Sequence, residues 1–240
     1  MDSAVYDRMN DLEAHHWWFV ARRNIIAALV GRALSKRPAR ILEAGCGSGG
    51  NLQMLRSFGE VDAFEYHGPA REAAARKTGM TIPFGALPDA LPFDDVYDLI
   101  GLFDVLEHIE DDMGSLVALR ERLASGGKIL VTVPALPALW SGHDVRHHHF
   151  RRYTRTSLTE VARKAGLKVT YASYFNFFLF PLAVAARALK RMAGSDVPDD
   201  QMPAGWLNAL LARIFGTERH LLGRVRLPIG LSLVAVMERA

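Results

Sequence analysis

Short apolar runs alternate along the chain with stretches in which apolar residues recur every three or four positions. The runs predict strands, and the wider spacing predicts helices. Strands are predicted at 40–44, 60–65, 81–84, 96–102, 128–133, 167–174 and 231–237. Three glycines follow the first run and lead directly into a helical pattern. Strand, glycine turn and helix together form the first unit of an open α/β sheet.

Two segments lie outside this alternation. Helical spacing between Trp18 and Ala33 predicts one or two helices before the sheet. Before the last strand, 175–186 is strongly apolar and is followed by basic residues, and 206–215 predicts an amphipathic helix. The apolar stretch is shorter than a membrane-spanning helix of about 20 residues. It therefore either covers the sheet or forms an apolar mouth that rests on a membrane surface.

The glycine turn after the first strand is the first candidate for chemistry. Gly45, Gly47 and Gly49 permit a tight turn, and their bare backbone lets a ligand lie against amides at the helix start. With Gly50, the segment also satisfies the G-x-G-x-x-G spelling of nicotinamide-binding proteins. Glu43 precedes the first glycine by two residues. A carboxylate there suits a cofactor with an ammonium and a sulfonium better than one with a pyrophosphate.

The segment Glu43-Ala44-Gly45-Cys46-Gly47-Ser48-Gly49 resembles motif I of the class I S-adenosylmethionine (SAM) methyltransferases. The resemblance implies a doubly wound, mostly parallel seven-stranded Rossmann-like sheet, with N-terminal helices and a helical insertion before the last strand. It also implies SAM as the cofactor. The predicted SAM-binding residues of this motif are Glu43, Gly45, Cys46, Gly47 and Gly49. The alternatives are a nicotinamide-dependent oxidoreductase and a catalytically inactive SAM-binding module at a membrane surface.

The second strand ends in another acid, Glu65, twenty positions after the first glycine of the turn. A carboxylate at this spacing accepts hydrogen bonds from both ribose hydroxyls of a nucleotide cofactor. In the methyltransferases the position serves the ribose of SAM, and the neighbouring Tyr66 is assigned to the same site. The family often has an Asp near the adenine where this chain has Ala86. Adenine recognition is therefore assigned to backbone groups of Ala86 and Leu87, or to Asp89.

The segment Phe103-Asp104-Val105-Leu106-Glu107-His108 follows another predicted strand. It is similar to a segment of methyltransferases related to the ubiquinone-pathway O-methyltransferases. In that family Phe103 and Asp104 lie beside the methionine part of SAM and the transferred methyl group. His108 either orients the next helix or contacts the acceptor. These relatives favour an oxygen atom as the methyl acceptor.

The loop at 140–154 carries four histidines, three arginines and one aspartate. It leaves the edge of the sheet at which the cofactor is expected, so we predict that it binds the acceptor. Arg151 and Arg152 would hold a carboxylate or phosphate of the acceptor, with Tyr153 and Trp18 beside them. The alternative is that the charged loop is a solvated face without a ligand.

The histidines of this loop are candidates for proton transfer. We predict that His143 or His149 takes the proton of the acceptor. A metal site is not expected, because His147, His148 and His149 are consecutive and do not readily converge on one ion.

Composition adds limits on organisation and partners. The 240 residues, 50% of them hydrophobic, suit one α/β domain with elaborations. We divide the chain into a helical lid at 1–38, a SAM-binding core at 39–174, an apolar helical insertion at 175–230 and a final strand at 231–240. The single cysteine fits a cytoplasmic protein, and the formal charge of +3 is too small to indicate nucleic acid. The expected partner is a small-molecule or lipid-like acceptor, with peripheral membrane contact through 175–215 as a further expectation.

Overall fold

Six strands form one sheet in the computed structural model, which describes residues 11–192 and 202–240. The strands are β1 (Ala39–Ala44), β2 (Gly59–Phe64), β3 (Tyr97–Phe103), β4 (Leu123–Pro134), β5 (Leu167–Phe175) and β6 (Ser232–Arg239). They lie in the order β2-β1-β3-β4-β6-β5. All pairs among β1 to β4 are parallel, whereas β6 is antiparallel to both of its neighbours. The prediction of a doubly wound, mostly parallel sheet is therefore confirmed.

The strand predicted at 81–84 is not part of this sheet, so the predicted count of seven strands is corrected to six in the part of the chain that is described. Phe84 forms a single isolated bridge with Glu65. Pro83 accepts a hydrogen bond from the Glu65 N–H but has no N–H of its own to donate. Pairing consequently ends after one bridge.

Helices cover both faces of the sheet. Their bounds are α1 (Trp17–Ala33), α2 (Leu52–Arg56), α3 (Gly68–Thr78), α4 (Asp112–Glu121), α5 (Gly142–Arg146), α6 (Arg155–Lys164), α7 (Phe180–Met192) and α8 (Gly205–Gly216). Helix α6 begins with a capping box. Thr154 is the N-cap, and its hydroxyl accepts the N–H of Ser157 at 3.1 Å while the Ser157 hydroxyl accepts the N–H of Thr154 at 2.9 Å.

Alternation along the strands separates two apolar layers. On β4, Ile129 and Val131 pack in the layer that contains residues of α4 and α6, whereas Leu130 packs in the layer that contains residues of α1 and α8. Successive side chains of a strand point to opposite faces, so β4 supplies both layers. The sheet is therefore covered on both sides.

The segment before β6 is anchored to the rest of the fold. Asn208 of α8 accepts the backbone N–H of Trp17 at 2.8 Å, and the rings of Phe215 and Phe175 stack with centroids 6.1 Å apart. Buried Glu218 accepts the backbone N–H groups of residues 176 to 178 at 2.7–3.1 Å. The predicted amphipathic helix at 206–215 is confirmed as α8.

Candidate active site

The glycine turn lies at the carboxyl end of β1, where the chain order of the sheet reverses between β1 and β3. Gly45, Gly47 and Gly49 have positive φ angles of 74°, 55° and 83°. A Cβ on Gly45 would lie 2.9 Å from the side chain of Val105, so the turn and the end of β3 approach too closely for any side chain there. Ligands of open α/β sheets bind in the crevice at such a reversal point. The turn therefore exposes bare backbone at the expected binding edge.

Glu65 joins the end of β2 to this turn. Its Oε2 accepts the backbone N–H of Gly47 at 2.9 Å, and its Oε1 accepts that of His67 at 2.8 Å. The residue is only 5% exposed. Each carboxylate oxygen has a second lone pair, so Glu65 retains the capacity to accept two further hydrogen bonds.

Glu43 is buried beneath the turn at 1% exposure. Its Oε1 accepts the side-chain amide of Asn51 at 2.8 Å, whereas its buried Oε2 has no hydrogen-bond partner. Burial raises the pKa of the Glu43 carboxyl to about 7. A buried acceptor without a partner is costly unless a ligand supplies a donor, so this atom fits a cofactor with a positively charged group.

Two other predicted cofactor residues have restricted roles. Burial raises the pKa of the Cys46 thiol, which therefore stays protonated, and only the backbone of Cys46 is suited to a ligand. The N–H of Ala86 donates to the Ala90 carbonyl at 2.9 Å, and its carbonyl accepts the Ala90 N–H at 2.7 Å. The assignment of the Ala86 backbone to adenine is therefore weakened, because both of its polar groups are already paired within the loop. Leu87 is half-buried and packs against the core, and Tyr66 is 69% exposed beside Phe84.

Helix α1 reaches the ends of β3 and β4 through Arg22. The Arg22 guanidinium lies 2.6 Å from the Asp104 carboxylate and donates to the Thr132 hydroxyl at 2.9 Å. Trp18 lies over this guanidinium, 5.1 Å from its central carbon to the ring centroid. Phe103 points instead into the apolar layer shared with α1. Trp18 and Asp104, both predicted site residues, are thus joined by an arginine that was not predicted.

Asp144 is the centre of the loop at 140–154. Its two oxygens accept the Arg152 Nε and Nη2 groups at 2.7 and 3.0 Å, and Arg152 Nη1 donates to the Ala135 carbonyl at 3.1 Å. Asp144 is fully buried, and Arg152 is 7% exposed. Burial alone would raise the pKa of Asp144, but hydrogen bonds from His149 and Arg152 hold it well below its usual range. Arg152 therefore stabilises the loop itself, which corrects its predicted role in holding an acceptor anion.

Tyr153 and Arg151 fasten the same loop to the start of α4. The Tyr153 hydroxyl donates to the Asp112 carboxylate at 2.7 Å, and Tyr153 is 2% exposed. Arg151 lies 2.8 Å from the same carboxylate and donates to the Glu110 carbonyl at 2.7 Å. The predicted acceptor contact of Tyr153 is corrected because its ring and hydroxyl are buried. Arg151 stays partly exposed, but its guanidinium is already engaged.

The structure does bring the predicted histidines together. The rings of His108 and His149 have centroids 4.6 Å apart, and those of His143 and His147 stack at 4.0 Å. The His149 ring is held through Nδ1, which lies 3.0 Å from Asp144 Oδ1. Burial and the neighbouring His149 lower the pKa of His108 to about 3, so His108 is a neutral imidazole near pH 7.

A family comparison decides among the functions that remained open. Residues 18–172, more than half of the chain, match the family model described as a methyltransferase domain. The chain belongs to the methyltransferase domain family. Membership of this family supports SAM as the cofactor and removes the nicotinamide alternative. The predicted membership of a SAM-dependent methyltransferase family is thereby confirmed.

A curated relative supports the same family. It is 27% identical over 163 residues to a protein of Mycolicibacterium smegmatis named "Probable S-adenosylmethionine-dependent methyltransferase", with 66% of this chain and 62% of that protein covered. The chain thus spans less than two thirds of the length of this curated relative.

Two solved structures share the architecture of this chain. One is a chain of the complex between the Haloferax volcanii Trm112 methyltransferase activator and a methyltransferase, at 19% identity, a TM-score of 0.64 and coverage of 98% of this chain and 94% of that chain. The other is the O-methyltransferase NcsB1 of neocarzinostatin biosynthesis with SAM and 2-hydroxy-5-methyl naphthoic acid, at 20% identity and a TM-score of 0.51, covering 84% of this chain and 49% of that chain. At these identities the likeness shows the fold.

Two residues at the site of the methyltransferase carried signals that the sequence reasoning missed. Arg22 precedes Ile25, Ile26 and Leu29 by three, four and seven positions, which places a cation on the buried stripe of α1. Glu107 stands next to His108 in the segment at 103–108, is 1% exposed, and burial raises the pKa of its carboxyl well above the usual range. The arginine is buried at the sheet edge, and the glutamate is buried beside two histidines. Buried charged residues of this kind indicate a functional site more strongly than exposed charged residues do.

Proposed function

We propose that this methyltransferase transfers the methyl group of SAM to a hydroxyl oxygen of a small-molecule acceptor. The observation that carries the proposal is the histidine cluster beside the end of β3, next to the cofactor edge of the sheet, in which Asp144 orients the His149 ring. A neutral imidazole accepts the proton that a hydroxyl group must lose, whereas a cationic one does not. The O-methyltransferase NcsB1, which shares the fold, was solved with a hydroxylated naphthoic acid, and this supports an oxygen acceptor.

The residues of the glycine turn would hold SAM at the switch point of the sheet. Glu65 would accept hydrogen bonds from the ribose hydroxyls with its remaining lone pairs, and Glu43 Oε2 would face the positively charged methionine end. The bare backbone at Gly45 and Gly47 would allow close approach of the cofactor. Bound SAM supplies a methyl group that is already activated by a sulfonium.

The contribution of the chain to the reaction is then placement and proton removal. The acceptor hydroxyl would lie between the end of β3 and the loop at 140–154, in line with the methyl–sulfur bond. Its proton would pass to Nε2 of His149, whose ring is oriented by the bond from Nδ1 to Asp144. Among the predicted bases, His149 is preferred to His143 for this orientation. Trp18 and the pair formed by Arg22 and Asp104 would help to exclude water from the same edge.

A pH dependence of cofactor binding follows from Glu43. Its carboxyl has a pKa raised to about 7 in the free protein, and a cationic ligand stabilises the ionised form. SAM affinity should therefore be constant above pH 7 and fall about tenfold for each pH unit below it. Titration calorimetry between pH 5.5 and 8.5 measures the effect. The matched variant Glu43→Gln cannot ionise and should bind weakly at every pH, and an unchanged pH slope in that variant would show that another group is responsible.

The acceptor assignment is tested by SAM demethylation in a panel of paired compounds. A hydroxylated aromatic acid, its own methyl ether and a matched aromatic amine are each incubated with the protein and SAM, and S-adenosylhomocysteine (SAH) is quantified. We expect SAH with the hydroxylated compound and none with the ether. Product from the amine alone would contradict an oxygen acceptor, and absence of product with every compound despite SAM binding would favour an inactive binding module.

A lipid-like acceptor is the second form of this proposal. Phe178, Leu182 and Trp206, on and beside α7 and α8, are 44%, 61% and 73% exposed. In the described part of the chain, none of the helices is long and apolar enough to cross a membrane. The predicted membrane contact through 175–215 stays a prediction, which these exposed apolar side chains support. A long-chain phenol presented in acidic vesicles, added to the panel above, separates a lipid-like acceptor from a water-soluble one.

A further inference from the structure

Three potential metal ligands converge beside the cofactor edge. Their ligand atoms, one each from Glu107, His108 and His149, all lie within 4.8 Å of one another. The carboxylate of Glu107 is 1% exposed, and its Oε2 has no hydrogen-bond partner. An unpaired buried carboxylate oxygen is costly in a protein, and the carboxyl group of Glu107 lies beside two imidazole rings. A cation among the three groups would satisfy it.

Both histidines are held in the manner of metal ligands. His149 Nδ1 is hydrogen-bonded to Asp144, an ionised carboxylate that Arg152 also holds, so the lone pair of His149 is left on Nε2. His108 forms a hydrogen bond to the backbone of His147. Metal-binding histidines almost always donate their second ring nitrogen to a carboxylate or a backbone carbonyl, which fixes the tautomer and the ring plane. The outer partners of such a site are thus already in place.

We propose that Glu107, His108 and His149 bind a divalent transition-metal cation of the Zn²⁺ type. Two imidazoles and one carboxylate form a donor set that Zn²⁺ and its neighbours accept, and three protein ligands leave a fourth position open. Ligand atoms of tetrahedral Zn²⁺ lie about 3.3–3.5 Å apart for bonds of about 2.0–2.1 Å, so binding draws the three groups together by roughly 1 Å.

This site differs from the metal site that was not expected from the sequence. The consecutive His147, His148 and His149 do not act as one set, because only His149 points into the cluster with His108 and Glu107. The two partners come from the short 3₁₀ turn Leu106–His108 after β3, about 40 positions earlier in the chain. The spacing argument from the sequence therefore applied only to the three consecutive loop histidines. It did not consider a set that combines His149 with Glu107 and His108.

The open position gives the cation a use in the proposed reaction. It would take the acceptor hydroxyl and lower the pKa of that hydroxyl, as a bound cation lowers the pKa of water. This use rests on the proposed function, whereas metal binding itself does not. In the metal-loaded protein His149 is a ligand, so it does not also act as the base, and the proton of the hydroxyl passes to solvent.

Metal binding is tested without SAM or acceptor. The unaltered protein is treated with a chelator, dialysed, and titrated with Zn²⁺ by calorimetry and with Co²⁺ by visible absorption. We expect one tight equivalent of Zn²⁺ and the visible bands of a tetrahedral Co²⁺ site. His149→Ala and Glu107→Gln should weaken Zn²⁺ by at least about 100-fold, because loss of an outer partner alone costs about 10- to 100-fold.

His143→Ala is the matched control, since His143 lies in the same loop and its ring centroid is 6.1 Å from that of His149. It should bind Zn²⁺ like the unaltered protein, and thermal melts of all variants identify any that fail to fold. No Zn²⁺ binding by the unaltered protein, or equal loss in His143→Ala, would overturn the proposed ligand set. Zn²⁺ binding without methyl transfer to any acceptor would leave the metal site standing and contradict the proposed function instead.

Discussion

Arg152→Ala is expected to lower the free energy of unfolding by about 3–5 kcal/mol, the typical cost of removing one partner of a buried ion pair. The change leaves the fully buried Asp144 carboxylate without its two guanidinium contacts, which measure 2.7 and 3.0 Å. For a chain of this size, that loss corresponds to a fall in melting temperature of about 6–20 °C. Thermal and urea unfolding of the variant and the unaltered protein measure it.

The control for this prediction is Arg146→Ala, an exposed arginine of the same loop. It should melt within a degree or two of the unaltered protein, since exposed charges contribute about 0–1 kcal/mol. The competing hypothesis from the sequence is that Arg152 holds an anionic acceptor. That hypothesis would be supported if Arg152→Ala had the melting temperature of the unaltered protein and lost only methyl transfer, with a raised KM for the acceptor.

Glu65→Ala is expected to weaken SAM binding by about 1–3 kcal/mol, or about 5- to 150-fold, through loss of charge-assisted hydrogen bonds to the ribose. The reason lies in the geometry of the carboxylate, which is buried against the N–H groups of Gly47 and His67 and keeps two lone pairs for a ligand. The loss of affinity is measured by calorimetric titration with SAM and with SAH, which share the ribose.

Two variants separate ribose binding from support of the turn. Glu60→Ala removes an exposed acid at the other end of β2 and should leave SAM affinity unchanged. Glu65→Gln keeps most of the volume and one acceptor oxygen, so it should lose less affinity than Glu65→Ala. If Glu65→Ala melted far below the unaltered protein but bound SAM normally, Glu65 would be a support of the glycine turn only.

Features set by neighbouring residues could be predicted from the sequence. The alternation of strands with helices, the glycine turn and the acid at the end of each of the first two strands depend on local periodicity and backbone freedom. These features were sufficient to predict the sheet, its direction and the cofactor edge. One strand prediction was wrong, at 81–84. The apolar pattern there predicts a strand, but Pro83 has no N–H to donate to the strand ladder.

The side chains of the acceptor side could not be predicted in the same way. Asp144 and Arg152 are only eight positions apart, yet their spacing does not tell whether the guanidinium points to solvent or to a buried carboxylate. Arg22 contacts Asp104, 82 positions later in the sequence, and His108 contacts His149, 41 positions later. Both contacts form only because helix, sheet and loop pack together. Such pairings depend on tertiary packing, so a loop rich in charge was read as a binding surface although much of its charge is internally paired.

The central claim is that the glycine turn holds SAM, and its most direct test is a calorimetric titration of the unaltered protein with SAM, SAH and NAD under one set of conditions. The structure predicts that SAM and SAH each bind with a stoichiometry of one, because Glu43 and Glu65 match the cationic end and the ribose of one molecule. NAD should give no binding signal, because Glu43 disfavours a pyrophosphate at the turn. Tight binding of NAD without a signal from SAM or SAH would contradict the account.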